Sequence, residues 1–329
     1  MLNQLIEKCL SEFGEICNTS SNAADFSYWK IGGPVKLLIE PSSVEQLQKA
    51  IKYINLYSDV PSLCVGDGSN LLFDSAGFDG VIIKIGNALS KLEYDQTGTI
   101  ATCEAGIWVP ELAYQLSLKG LTGVEHICGI PGRIGGLVYM NGGSNRRSIL
   151  ENTLKVELIN RLGELEVEHA KDLPFSYRTS PFQNDGRIVA RVTLSLMQGE
   201  RKVVRAKMRS ILASRRKKFP RKLPNCGSVF LSDPKMYDLI GPPGFAIEKV
   251  GLKGLKQGQA QISPVHANFI VNNGGATSDD VLYLIRKIRQ DVYADTDFLM
   301  DCEARYVAPN GGLCQAHIKA EALFGSVGK

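Results

Sequence analysis

Apolar residues recur at helical spacing in SSVEQLQKAIKYINLY (42–57), where Val44, Leu47, Ala50, Ile51 and Ile54 share one face. Ser43 stands where a helix cap is expected, with Glu45 and Gln46 in the first turn. VKLLIEP (35–41) reads as a strand ended by proline, and GVIIKI (80–85) as a buried strand, apolar on both faces. TIATCEAGIWVPELAYQLSLKGL (99–121) passes from strand to helix, and MLNQLIEKCLSEFGEI opens the chain as a short amphipathic helix. Beyond about residue 120 the pattern changes. TLKVELINRLGELEVE (153–168) predicts two strands about an NRLG turn, and RIVARVTLSLMQG (187–199) a third. A charged amphipathic helix is expected over 200–217, closed by RRKKFPRK with Pro220 and Pro224 behind it. SDDVLYLIRKIRQDVYADTD (278–297) predicts a helix capped by Ser278, with Val281, Leu284, Ile285 and Ile288 inward. FLMDCEARYVAP reads as a closing strand. The tail from about 310 is weakly patterned, and fraying or a short helix is expected there.

These elements fill 329 residues, a length that suggests two domains, with the change near residue 216. A net charge of +4 is too small to indicate a nucleic-acid partner. The eight cysteines form no CxxC, so neither a disulfide framework nor a zinc site is expected, and no metal is assigned. Acidic residues stand too early for a signal peptide, and no 18-residue apolar run is present, so reduced thiols in a cytoplasm and no membrane span are expected.

Four short stretches carry candidate chemistry. GDGSNLLF (66–73) follows an apolar strand, and its turn is either a plain connection or a set of backbone N–H groups suited to phosphate oxygens. It is not a GxGxxG opening a helix. GIPGRIGGLVYMNGG (129–143) is dense in glycine, which fits close approach to a flat ring or diphosphate, or tight packing of two segments. In NCGSVF (225–230), Ser228 is a turn residue, a proton donor or a nucleophile; the nucleophile role lacks a GxSxG elbow. In CEARY, alternation puts Cys302 and Ala304 on one face, Glu303 and Arg305 on the other. Taken alone, Arg178 and Glu303 also read as surface charges. His266 and Asn268 in PVHANFIVN read as structural or substrate-framing.

The pieces WKIGGPVKLLIEP, GDGSNLLFDSAGFDGVIIKI, GLTGVEHICGIPGRIGGLVYMNGG, FSYRTSPF, NCGSVF, HANFIVNNGGAT and CEAR occur in an order, across roughly 28–306, that resembles the UDP-N-acetylenolpyruvoylglucosamine reductase family, in its compact branch. The resemblance implies an α+β chain with a vanillyl-alcohol-oxidase-like (PCMH-type) FAD-binding fold and a smaller C-terminal α+β substrate domain. It suggests a helical lead-in over 1–27, the FAD-binding domain over 28–215, the substrate domain over 216–309 and a tail over 310–329. It implies reduction of the enolpyruvyl ether of UDP-N-acetylglucosamine enolpyruvate, with FAD as cofactor and NADPH as co-substrate; a monomer or weak homo-oligomer is expected. Gly66, Asp67, Gly68, Ser69, Asn70 and Leu71 would wrap the FAD diphosphate. Gly129, Ile130, Pro131, Gly132, Gly135 and Gly136 would line the cofactor's other side, and Ile188 and Val189 would close the domain. Arg178 matches the arginine beside the substrate carboxylate, with Tyr177 before it; Ser228 matches the proton donor and Glu303 the acid that completes the group. Lys217 and Tyr237 are the choices for contacts to the nucleotide sugar.

The chain departs from the family pattern at NGGSNRRSI (141–149), with Arg146 and Arg147, and at LSDP after GSVF. These departures lie on the expected substrate side. They keep open a paralogous flavin oxidoreductase for another sugar or nucleotide-linked substrate, or a flavin-binding protein without turnover.

Overall fold

In the computed structural model, which describes residues 1–183 and 185–328, the apolar faces collect into two cores, each belonging to one unit of the chain. The first unit comprises Met1–Asn18, Leu37–Asp67 and Val81–Lys217. Its main sheet is antiparallel throughout, in the order Leu165–His169, Thr153–Ile159, Ile188–Ser195, Ile100–Glu104, Leu92–Tyr94. The NRLG turn forms as the pattern predicts. Asn160 Oδ1 accepts from the N–H groups of Leu162 (2.9 Å) and Glu164 (3.0 Å), while Gly163 takes φ +79°. Ser62–Val65 pairs in parallel with residues 81–84. The helix Val44–Asn55 buries the five apolar residues named from its spacing, and Ser43 Oγ caps it by accepting from Gln46 N–H at 3.2 Å. The opening helix, Leu2–Phe13, puts Leu5 and Cys9 into this core, so it is part of the unit rather than a lead-in.

The second unit comprises Thr19–Lys36, Gly68–Gly80 and the residues from Lys218 on. The contiguous division expected from the sequence therefore differs from the observed one, and strand pairing and burial explain why. Leu71–Phe73 runs parallel to Arg305–Val307, which pairs on its other edge with Leu313–Gln315. Trp29 is fully buried among residues of the C-terminal part. Its indole N–H donates to the Ile270 carbonyl at 2.8 Å, and Asn272 Nδ2 donates to the Trp29 carbonyl at 3.0 Å. The long helix Ser278–Thr296 is capped one residue earlier than expected. Thr277 Oγ1 accepts from Asp280 N–H, and Asp280 returns a bond to Thr277 N–H. Ser278 is buried instead and exchanges hydrogen bonds with Ser75 at 2.8 and 3.1 Å. The tail does not fray. Ala316–Phe324 is a helix that packs on Ser278–Thr296 and buries Ala316, His317 and Ala320.

Candidate active site

Within the first unit, the two glycine-bearing segments are tied by one side chain. Arg133, inside the 129–143 block, places Nε 2.7 Å from Asp67 Oδ1; the two side chains are only 13% and 16% exposed. Its Nη1 donates both to the Gly106 carbonyl, at 2.8 Å, and to Asn87 Oδ1. The Asp67 carboxylate is thus engaged by protein. A Cβ added at Gly66 would stand 3.0 Å from Arg133 Cγ, so the glycine allows this approach.

The 129–143 glycines separate into two groups. A Cβ at Gly129 would meet Arg215 Cδ at 2.5 Å, and one at Gly135 would meet Ala105 Cβ at 2.8 Å. Gly142 and Gly143 are likewise closed by Leu137 and by the backbone of Arg147. At these four positions, close packing of protein on protein accounts for the glycine. Gly136 differs: it is exposed, on the helix Ile134–Tyr139, with nothing within 4 Å of an added Cβ. Here bare backbone faces open space, as a surface for a flat ring or diphosphate requires. Ile188 and Val189 lie in the sheet opposite Ile159 and Leu158.

The first unit also holds Arg178. Its backbone is left-handed, φ +57°, its Nη2 donates to the Gly143 carbonyl at 3.2 Å, and its guanidinium lies 5.2 Å from the Tyr177 ring. Arg215 was not singled out by sequence reading beyond its place in a basic run. Burial and the nearby Arg178 charge push its pKa down. A partly buried guanidinium with a second positive charge nearby makes a place where an anion is welcome. The signal for Arg215 was its helical spacing from Met208 and Leu212, the inward face of Arg201–Lys218. Lys217 on the same helix is exposed, as is Arg146, while Arg147 pairs with Glu151 at 3.2 Å.

The second unit brings together three stretches far apart in sequence. Segment 228–230 runs antiparallel to 302–304, with Phe230 bridged to Cys302. The Val229 carbonyl, one residue from Ser228, accepts from the N–H groups of Glu303 (2.8 Å) and Ala304 (3.3 Å). Asn70 Nδ2 donates to the Glu303 carbonyl at 3.0 Å, and the Asn70 carbonyl accepts from Arg305 N–H at 3.0 Å. The alternation read from CEARY holds: Cys302 and Ala304 are fully buried, and Glu303 and Arg305 half-buried. Gly227, at φ +84°, and its N–H bond to Asn225 Oδ1 turn the chain into Ser228. Burial, with Glu303 and Cys302 close by, pushes the Cys226 thiol well up, which keeps it protonated beside the carboxyl. Gly68, also in this unit, needs to be glycine twice over. Its φ is +59°, and a Cβ would meet the Phe26 carbonyl at 2.9 Å.

Asn268 is the residue whose role the sequence left vague. Its side chain accepts from Phe230 N–H (2.9 Å) and donates to the Phe230 carbonyl (3.0 Å), and its own carbonyl accepts from Val229 N–H (2.9 Å). A buried amide here stands in for a strand neighbour and fixes the backbone that carries Ser228. His266 Nδ1 accepts from Asn268 N–H at 3.2 Å, and its ring packs on Phe219 and Phe269, a supporting position. Tyr237 is about half exposed and shares a 2.9 Å hydrogen bond with Ser232. Among the described residues, no cluster of histidine, cysteine or carboxylate side chains suits a metal ion.

Comparison with known proteins agrees with this layout. A family model described as an FAD binding domain matches residues 35–167, and one described as the UDP-N-acetylenolpyruvoylglucosamine reductase C-terminal domain matches 219–307. The class so defined is a flavoprotein reductase with a PCMH-type FAD-binding fold. A Corynebacterium glutamicum protein named UDP-N-acetylenolpyruvoylglucosamine reductase 1 is 43% identical over 311 residues, covering 94% of this chain and 92% of its own. The reductase of that name from Carboxydothermus hydrogenoformans is 38% identical over 270 residues, 82% of this chain and 87% of its own. The crystal structure of the Thermus caldophilus reductase superposes with a TM-score of 0.73 at 30% identity, over 87% of this chain and 97% of that one. The chain belongs to the UDP-N-acetylenolpyruvoylglucosamine reductase family.

Proposed function

We propose that this chain reduces the enolpyruvyl ether of UDP-N-acetylglucosamine enolpyruvate to UDP-N-acetylmuramate with NADPH, and that Ser228, Glu303 and Arg178 are its catalytic residues. Bound FAD would supply the hydride chemistry that links NADPH to the enol ether. Gly66, Gly68, Ser69, Asn70 and Leu71 would hold the cofactor on one side, and Gly136 with its neighbours 129–132 on the other. The bare backbone at Gly136 fits that role. Asp67 contributes by fixing Arg133 rather than by facing a diphosphate of its own sign.

The remaining work falls to side chains. Hydride addition leaves negative charge on the substrate's carboxylate. Arg178 holds that carboxylate and stabilises the charge as it grows, with Arg215 adding to the positive field. The central carbon then takes a proton from the Ser228 hydroxyl. Serine is a weak acid, but the carbanion is a far stronger base than water, and proximity does the rest. Glu303 sits beside the serine segment and manages the proton on the carboxylate side. Tyr177, Lys217 and Tyr237 are the proposed contacts for the nucleotide sugar. NADPH and a UDP-sugar are cytoplasmic metabolites, so the enzyme works there, as a monomer or weak homo-oligomer. No helix among the described residues is long and apolar enough to cross a membrane.

The observation that carries this reading is the fastening of the Ser228 and Glu303 segments to each other through Val229, and to Asn70 through Glu303. The test uses the FAD-loaded Ser228→Ala variant. NADPH should still reduce its flavin, while reoxidation by the enolpyruvyl substrate slows by a factor on the order of 10²–10⁴. Equal reoxidation in wild type and variant removes the serine from its role.

A further inference from the structure

Residues 300–304 approach Glu303 without belonging to a regular strand, so their backbone groups are satisfied one by one. Met300 O accepts from Arg289 Nε at 2.7 Å, and Asp301 O from Leu231 N–H at 2.9 Å. Both groups of Glu303 are held by Val229 and Asn70, as described. Both groups of Cys302, the residue before it, are held by side chains from the C-terminal segment. Cys302 N–H donates to His317 Nδ1 at 3.0 Å, and Gln315 Nε2 donates to the Cys302 carbonyl at 2.8 Å. The next backbone anchor, Ala316 N–H to the Ala304 carbonyl at 2.9 Å, comes from the same segment. All three donors and acceptors lie beyond residue 307, where the matched C-terminal family model ends.

We propose that Gln315 and His317 are positioning residues for Glu303, and that the segment Leu313–Phe324 is a brace that sets where the catalytic carboxyl stands. The inference rests on the catalytic reading of Glu303. With both peptide groups of Cys302 clamped, the Glu303 backbone cannot rotate about its preceding bond without breaking a buried hydrogen bond. The histidine is kept in the tautomer the clamp needs. Nε2 stands 3.5 Å from Asp301 Oδ1, which favours the proton there and leaves Nδ1 as acceptor. Burial and the Arg289 guanidinium keep the ring neutral, against Asp301 and Glu321. Arg289 itself is buried and bonded to Glu321, so the brace is anchored on the long helix Ser278–Thr296. No regular pairing holds Cys302 from this side, so side-chain bonds take the place of a strand ladder.

The experiment uses the FAD-loaded full chain and separates the two half-reactions by stopped flow. Gln315→Met keeps length and removes the donor. It should leave flavin reduction by NADPH unchanged and slow reoxidation by the enolpyruvyl substrate roughly 10- to 100-fold, as displacement of a catalytic group does. His317→Ala should do the same, and His317→Asn, which keeps an acceptor at the Nδ1 position, should recover most of the rate. In a Glu303→Gln background, Gln315→Met should slow reoxidation no further, because both changes remove one function. Equal slowing of both half-reactions, or an effect of Gln315→Met that persists undiminished in Glu303→Gln, overturns the proposal. If Glu303→Gln alone leaves reoxidation intact, the catalytic reading of Glu303 fails. If it slows reoxidation while Gln315→Met does not, only the brace fails.

Discussion

Arg133 Nε lies 2.7 Å from Asp67 Oδ1, and through this pair the segment that opens the first glycine turn is fastened to the start of the helix carrying Gly136. Both partners are mostly buried, and Arg133 makes further bonds to Gly106 and Asn87. Removing the guanidinium strands a desolvated carboxylate and frees the turn. Arg133→Met should therefore cost about 2–3 kcal/mol of stability in the apo protein. It should also lower the flavin retained per chain after purification. Thermal melts of the apo protein and the visible absorbance of the purified protein give the two numbers. A variant that melts normally and stays fully yellow would mean that the pair supports neither the fold nor the cofactor.

Adjacent glycines in the same helix should behave in opposite ways. Gly135→Ala puts a methyl 2.8 Å from Ala105 Cβ and 3.3 Å from its carbonyl, so the apo protein should lose about 1–3 kcal/mol by overpacking. Gly136→Ala meets nothing, and alanine favours helix over glycine by up to ~1 kcal/mol, so the apo protein should be as stable as wild type or slightly more. If FAD lies against that bare backbone, the same change should weaken FAD binding. Titrating each apo variant with FAD, followed by flavin fluorescence, distinguishes the two. Normal FAD affinity in Gly136→Ala would place the cofactor elsewhere.

The elements with strong periodicity were legible in the sequence: the Ser43-capped helix, the 200–217 helix and the NRLG hairpin formed where the pattern put them. The CEARY alternation was legible too, because a two-residue period records burial directly. The unit division was not. Hydrophobic pattern does not say to which core an apolar residue belongs; burial of Trp29 put 19–36, and strand pairing put 68–80, with the C-terminal part. Glycine density was ambiguous for the same reason. A glycine under Arg215 and a glycine facing open space look alike in a string of letters. The roles of Asn268 and Arg133 were hidden because a polar side chain does not announce which distant backbone group or carboxylate it will meet. For the tail, weak periodicity left fraying and a short helix both open, and the helix is what forms. Ala316 and Ala320 are small enough to bury against the long helix without a strong amphipathic pattern.

Glu125 is 3% exposed, just before the second glycine block. Burial alone would raise its pKa. The Thr122 hydroxyl (2.6 Å), the Gly123 N–H (3.0 Å) and Lys207 (3.4 Å) all favour the carboxylate, and the net displacement is downward. A depressed carboxylate contributes stability that is fully present above its unfolded pKa of about 4.3 and is lost as pH falls through the lower folded value. Glu125→Gln cannot satisfy both the hydroxyl and the N–H as an acceptor, so it should cost about 1.5–3 kcal/mol at neutral pH. Urea melts of wild type and variant should show that gap constant through the neutral range and shrinking once the pH drops below about 4. A gap of the same size in acid as at neutral pH would show that shape, not charge, makes glutamate necessary there.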